Sequence, residues 1–119
     1  MTIIAAAYRS PTDYAIGADS HGETGGMIVP SRKLFRLGPI LAGHSGTATQ
    51  GQRAERWLRD VTLPADDDEL RAAMLRCHDH LREYAGTDPP GYAPECGCAL
   101  LFVSPWGLLY VDGAGAMLD

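Results

Sequence analysis

Two helical periodicities lie side by side in the middle of this chain, and every other apolar run is too short for anything but a strand. Within residues 47–61, Ala54, Trp57, Leu58 and Val61 recur at helical spacing, with Ser45 or Thr47 placed to cap the start. Leu63-Pro64-Ala65 stops that helix. Asp66 followed by Glu69 then has the spacing of a capping box, opening a second helix whose stripe is Leu70, Met74, Cys77, Leu81 and Tyr84 and which ends near Ala85-Gly86. Around this pair stand strand-length segments separated by turn residues. Ile3 to Tyr8 and Tyr14 to Ala18 flank Ser10-Pro11-Thr12-Asp13; Lys33 to Leu37 and Ile40 to Ala42 flank Gly38-Pro39; Cys98 to Val103 and Leu108 to Val111 flank Ser104-Pro105-Trp106-Gly107. Asp19 to Gly26 breaks regular structure with its glycines, and Gly43-His44-Ser45-Gly46 leaves its strand to enter the first helix. Hairpins with helices segregated between them predict an α+β domain of antiparallel sheets packed on helices, one domain over residues 1–119.

Composition narrows the function classes. The 119 residues are 45% hydrophobic and 21% charged, with a net charge of −5, which is globular and argues against nucleic-acid binding. No run approaches the roughly 18 apolar residues of a membrane span, and no secretion leader is visible, so neither membrane nor export is expected and the location read is cytoplasmic. An odd count of three cysteines in such a chain reads as reduced thiols. Cys77, His78 and His80 on the second helix, with Cys96 and Cys98 beyond the next loop, permit a tetrahedral zinc geometry, but their spacing matches no zinc signature. Buried thiols are the preferred reading, and no metal or cofactor is expected.

The residues with chemistry begin at the amino terminus. Methionine before a small residue is readily removed, and removal of Met1 gives Thr2 a free α-amine beside its own hydroxyl. That places a nucleophile and a general base on one residue, since an α-amine titrates near about 7.7–8.0. Among ten basic residues Lys33 is the single lysine, a compact cation whose protonation can be tuned where an arginine's cannot.

Four pieces then stand in order: Thr2 at the head of a strand; a strand ending Ala18-Asp19-Ser20; Gly25-Gly26-Met27-Ile28-Val29 leading to Ser31-Arg32-Lys33-Leu34-Phe35-Arg36-Leu37; and Ile40-Leu41-Ala42-Gly43-His44-Ser45-Gly46 before a helix. Together they resemble the proteasome β-type family, particularly the HslV-like peptidases, in motif detail over the first half of the chain and in element order beyond it. The resemblance implies an Ntn-hydrolase αββα sandwich with an N-terminal threonine nucleophile. It assigns Thr2 the attack on a peptide carbonyl, Lys33 the electrostatic lowering of its pKa, Asp19 the orientation of Lys33, and Gly46 a backbone N–H for the oxyanion. Gly22, Ser31, Phe35, His44 and Ala48 would line the pocket for the residue before the cleaved bond. Read from the residues alone, Asp19 is equally a turn residue and Gly46 equally a bend. The implied partners are peptide or unfolded protein as substrate, sister copies in a homo-oligomeric ring, and an ATP-dependent unfoldase. Family members continue past the point matching Asp119, so the C-terminal part of the fold is expected to be missing. A non-catalytic member of the same fold, or an Ntn amidohydrolase acting on a small amide, are the alternative functions.

Overall fold

The computed structural model describes residues 3–19, 21–24, 27–30, 32–46, 48–85, 98–112 and 117–118. Its elements are β1 (Ile4–Ser10), β2 (Asp13–Ala18), β3 (His21–Thr24), β4 (Met27–Pro30), β5 (Leu34–Leu37), β6 (Ile40–Gly46), α1 (Ala48–Asp60), α2 (Asp67–Ala85), β7 (Cys98–Ser104), β8 (Gly107–Val111) and β9 (Met117–Leu118). Strands β5 to β9 form one antiparallel sheet in sequence order, while β1–β2 and β3–β4 are separate two-stranded antiparallel sheets. The α+β class follows directly from this arrangement.

Strand alternation divides the residues of the five-stranded sheet between its two faces. Phe35 and Leu37 of β5, Ile40 and Ala42 of β6, Cys98, Leu100 and Phe102 of β7, and Leu109 and Val111 of β8 are buried in one core with Ala54 and Leu58 of α1 and Leu70, Met74, Cys77 and Leu81 of α2. The opposite face receives the β1–β2 hairpin. A Cβ placed on Gly43 would stand 3.0 Å from Ile4 Cγ2 and 3.1 Å from Leu34 Cδ2, so the missing side chain is what lets β1 settle close to β6. The described residues thus form three layers, hairpin, sheet and helix pair, of the four that the family resemblance implies. No described helix is long and apolar enough to cross a membrane.

Local sequence explains where the elements start and stop. Asp66 Oδ1 accepts the Glu69 N–H at 2.8 Å, and Glu69 Oε2 reaches back to the Ala65 N–H at 2.6 Å, so both ends of the expected capping box are made. Two readings need correction. Residues 19–26 do not simply interrupt regular structure: 21–24 pair with 27–30, and the two-residue Gly25-Gly26 spacing between them is itself a hairpin signal. Nor does the chain leave the sheet at Gly43, because β6 continues through His44 and Ser45 to Gly46, paired with Cys98 to Leu101 of β7. Glycine and serine lower strand propensity, but pairing with β7 carries the strand to its end regardless.

Candidate active site

Asp19 stands where β2 ends, directly opposite the start of β1. Its backbone N–H donates to the Ile3 carbonyl at 3.1 Å, and its Oδ1 accepts the Ile3 N–H at 3.3 Å. The same Oδ1 accepts Lys33 Nζ at 2.6 Å, a charge-assisted bond. Lys33 is a buried ammonium with its side chain 5% exposed, whereas the Asp19 carboxylate keeps 29% of its surface. One carboxylate oxygen therefore joins the first peptide N–H of the hairpin to the single lysine of the chain.

Lys33 is tied equally firmly to the sheet. The His44 N–H donates to the Lys33 carbonyl at 2.9 Å, extending the β5–β6 pairing by one step beyond Leu34. Two residues further along β6, Gly46 ends the strand with a φ of 95°, a conformation that glycine reaches without the steric penalty of a Cβ. It faces solvent, and the helix begins at Ala48. Gly46, Lys33 and Asp19 are thus linked in order through backbone and side-chain bonds.

Of the residues named from sequence, Asp19 and Lys33 are brought into contact, and Gly46 is held two residues from His44. Thr2 and Ser31 lie outside the described residues. Gly22 pairs with Val29 in the β3–β4 hairpin, and Ala48 is the first residue of α1. Phe35 and His44 are not where a pocket wall would be. Alternation along β5 and β6 turns both toward the helices; they are 5% and 4% exposed, and their rings meet with centroids 6.4 Å apart. They underlie the sheet instead of presenting surface to a peptide. Burial pushes the His44 imidazole below its ordinary pKa of 6.5, with Glu55 opposing and Arg32 and Lys33 reinforcing that shift.

Among the described residues the Cys/His group does not assemble into a metal site. Cys77 and Cys98 are in no disulfide and are buried within the core, His80 lies near Trp57 with ring centroids 6.1 Å apart, and Cys96 is outside the described residues. Among the described residues no group of three His, Cys, Asp or Glu is placed to hold a metal.

Several contributors escaped the sequence reading. The Ile3 amide leaves no side-chain signature. Tyr8 and Tyr14 read only as strand residues, yet the Tyr14 hydroxyl donates to the Pro39 carbonyl at 2.6 Å and the Tyr8 hydroxyl to the Pro105 carbonyl at 3.2 Å, fastening the far end of the hairpin to two turns of the sheet. Gly51, inside a helix, was the one available hint, because glycine there costs about 0.5–1 kcal/mol relative to alanine unless something needs the space.

Comparison with known proteins places the chain by shape. Two solved structures, Thiobacillus denitrificans BPH by itself and the same protein in complex with Epoxomicin, align with 99% of this chain and 67% of theirs at a TM-score of 0.74 and 18% identity. The chain shares their fold. No family model matches it, and no curated protein matches it in sequence.

Proposed function

We propose that this chain is a threonine-type endopeptidase subunit of the proteasome β-type, HslV-like kind, with an Ntn-hydrolase fold and Thr2 as nucleophile after removal of Met1. The observation that carries the reading is the Asp19 carboxylate, which holds the Lys33 ammonium and the Ile3 N–H on one oxygen atom. Residue 2 immediately precedes Ile3 in the sequence, and on this reading it is the first residue of the processed chain.

The Thr2 hydroxyl attacks the peptide carbonyl and its proton passes to the Thr2 α-amine, which the neighbouring cation keeps from protonating too readily. Asp19 holds the Lys33 side chain in place, and the lysine's positive field favours the developing alkoxide. The carbonyl oxygen becomes an oxyanion within reach of the Gly46 N–H, where the absence of a side chain leaves the approach open. The amine returns its proton to the leaving nitrogen, leaving an ester on Thr2 that water hydrolyses. Peptide or unfolded protein is the substrate class, delivered in a homo-oligomeric ring with an ATP-dependent unfoldase.

Hydrolysis of short fluorogenic peptides by the purified chain, compared with Thr2→Ala and Lys33→Ala variants, tests this. Turnover is expected in the wild type, none in Thr2→Ala, and a loss of about 10²–10³-fold in Lys33→Ala, the scale of one electrostatic contributor. The BPH complex suggests Epoxomicin as a ligand to include in the same assay. Equal turnover by Thr2→Ala would end the proposal.

A further inference from the structure

Gly51 of α1 lies directly against β6, and the atoms a side chain there would meet belong to His44. A Cβ built on Gly51 would lie 2.2 Å from His44 Nδ1 and 2.5 Å from its Cγ, far inside contact distance. On its other side the imidazole faces the Phe35 ring. The ring therefore occupies the space that a side chain on Gly51 would need, and its own backbone N–H holds the Lys33 carbonyl.

We infer that His44 is a positioning residue, its imidazole acting as the spacer that sets β6 against α1 and thereby fixes the strand end that carries Gly46. The inference rests on the proposed peptidase reading for its catalytic consequence, though not for its structural one. Burial in that wedge disfavours the charged imidazolium relative to the neutral ring. The groups facing it are Glu55 on α1 and Arg32 and Lys33 ahead of β5, while β7 offers Leu100 directly opposite on the sheet. Glu55 is engaged by Arg32 at 2.7 Å and by Arg59 at 3.1 Å, so its charge is already shared. Burial then dominates, and the imidazole titrates below 6.5. A folded-state value below the unfolded one means stability that is whole above pH 6.5 and is lost as the pH falls through the folded value. Acid is thus expected to loosen the end of β6 that carries Gly46.

Nuclear magnetic resonance of the full chain decides this without any substrate. The His44 ring resonance, assigned by its disappearance in His44→Gln, is expected to titrate below pH 6.5, and the Gly46 amide to shift with the same midpoint. A ring midpoint at or above 6.5, or a Gly46 amide that ignores it, would overturn the inference. Gly51→Ala should displace the same Gly46 amide, with His44→Ala in the same chain restoring it; no displacement would again refute the wedge. In the peptidase assay, kcat should fall about tenfold per pH unit below the midpoint at constant KM, and His44→Gln should lower kcat at pH 7.5 and flatten that profile. A chain that hydrolyses nothing at any pH removes the peptidase reading, and the resonance titration still accepts or rejects His44.

Discussion

The β1–β2 hairpin and the sheet-helix layer beneath it are built on different terms. In the layer, Phe102, Ile40, Val103 and Cys77 have no measurable exposure, and the core runs unbroken from β5 to β8 and across both helices. In the hairpin, by contrast, no residue is buried: Ile4, Ala6, Tyr14, Ile16 and Ala18 are half-covered, and Ala5, Ala7, Ala15 and Gly17 face outward. Apolar burial of about 1.5–3 kcal/mol for each large side chain therefore stabilises the layer. The hairpin's position depends more on a few polar contacts at its two ends: the Tyr8 and Tyr14 hydroxyls at one, the Ile3–Asp19–Lys33 group at the other. The candidate site spans both regions, with Asp19 on the hairpin and Lys33 and Gly46 on the layer. Its geometry should accordingly be breakable without unfolding the protein.

Substitutions graded by size can sharpen or break that contrast. Phe102→Ala, in the middle of the layer, should cost about 3–5 kcal/mol in urea unfolding and abolish activity only because the fold is lost. Asp19→Ala strips the buried Lys33 of its carboxylate and should cost about 1.5–3 kcal/mol, less than a fully buried pair since Asp19 is partly exposed; activity should vanish while the circular dichroism spectrum is kept. Tyr14→Phe removes one hydroxyl bond and should cost about 0.5–1.5 kcal/mol, seen as faster hydrogen exchange in β1 and β2 with β6 and β7 unchanged. If exchange rose equally in both regions, the separation of hairpin from layer would be wrong. Arg32→Ala removes the exposed partner of Glu55 and should change stability by about 0–1 kcal/mol, with the effect shrinking at high salt.

Much of the layer was legible in the sequence because its signals are periodic and local. The α2 stripe at Leu70, Met74, Cys77 and Leu81 became the buried helix face, and the Asp66–Glu69 capping box formed with both hydrogen bonds. Turn residues marked three hairpins. The fourth, β3–β4, was obscured because glycine was read as a breaker where its pair-wise spacing signalled a turn. The site was legible as far as side chains announce themselves: a single lysine and an aspartate at a strand end do so, and the structure joins them. What stayed hidden belongs to backbone and packing. An Ile3 amide, a tyrosine hydroxyl on a turn carbonyl, and a helix glycine fitted to a histidine ring are set by tertiary approach, which no spacing encodes. The placement of Phe35 and His44 had the same origin, since which face of β5 and β6 meets the helices is decided only when the sheet is assembled.

The account rests on residue 2 becoming the reactive amino terminus beside Lys33. Mass spectrometry of the chain, quenched during turnover of an activated peptide ester and then digested, addresses that claim in one step. The account expects a chain beginning at Thr2, with the acyl group carried on that residue and absent from Thr2→Ala. Retained Met1, or an acyl group found elsewhere and undiminished in Thr2→Ala, would contradict it.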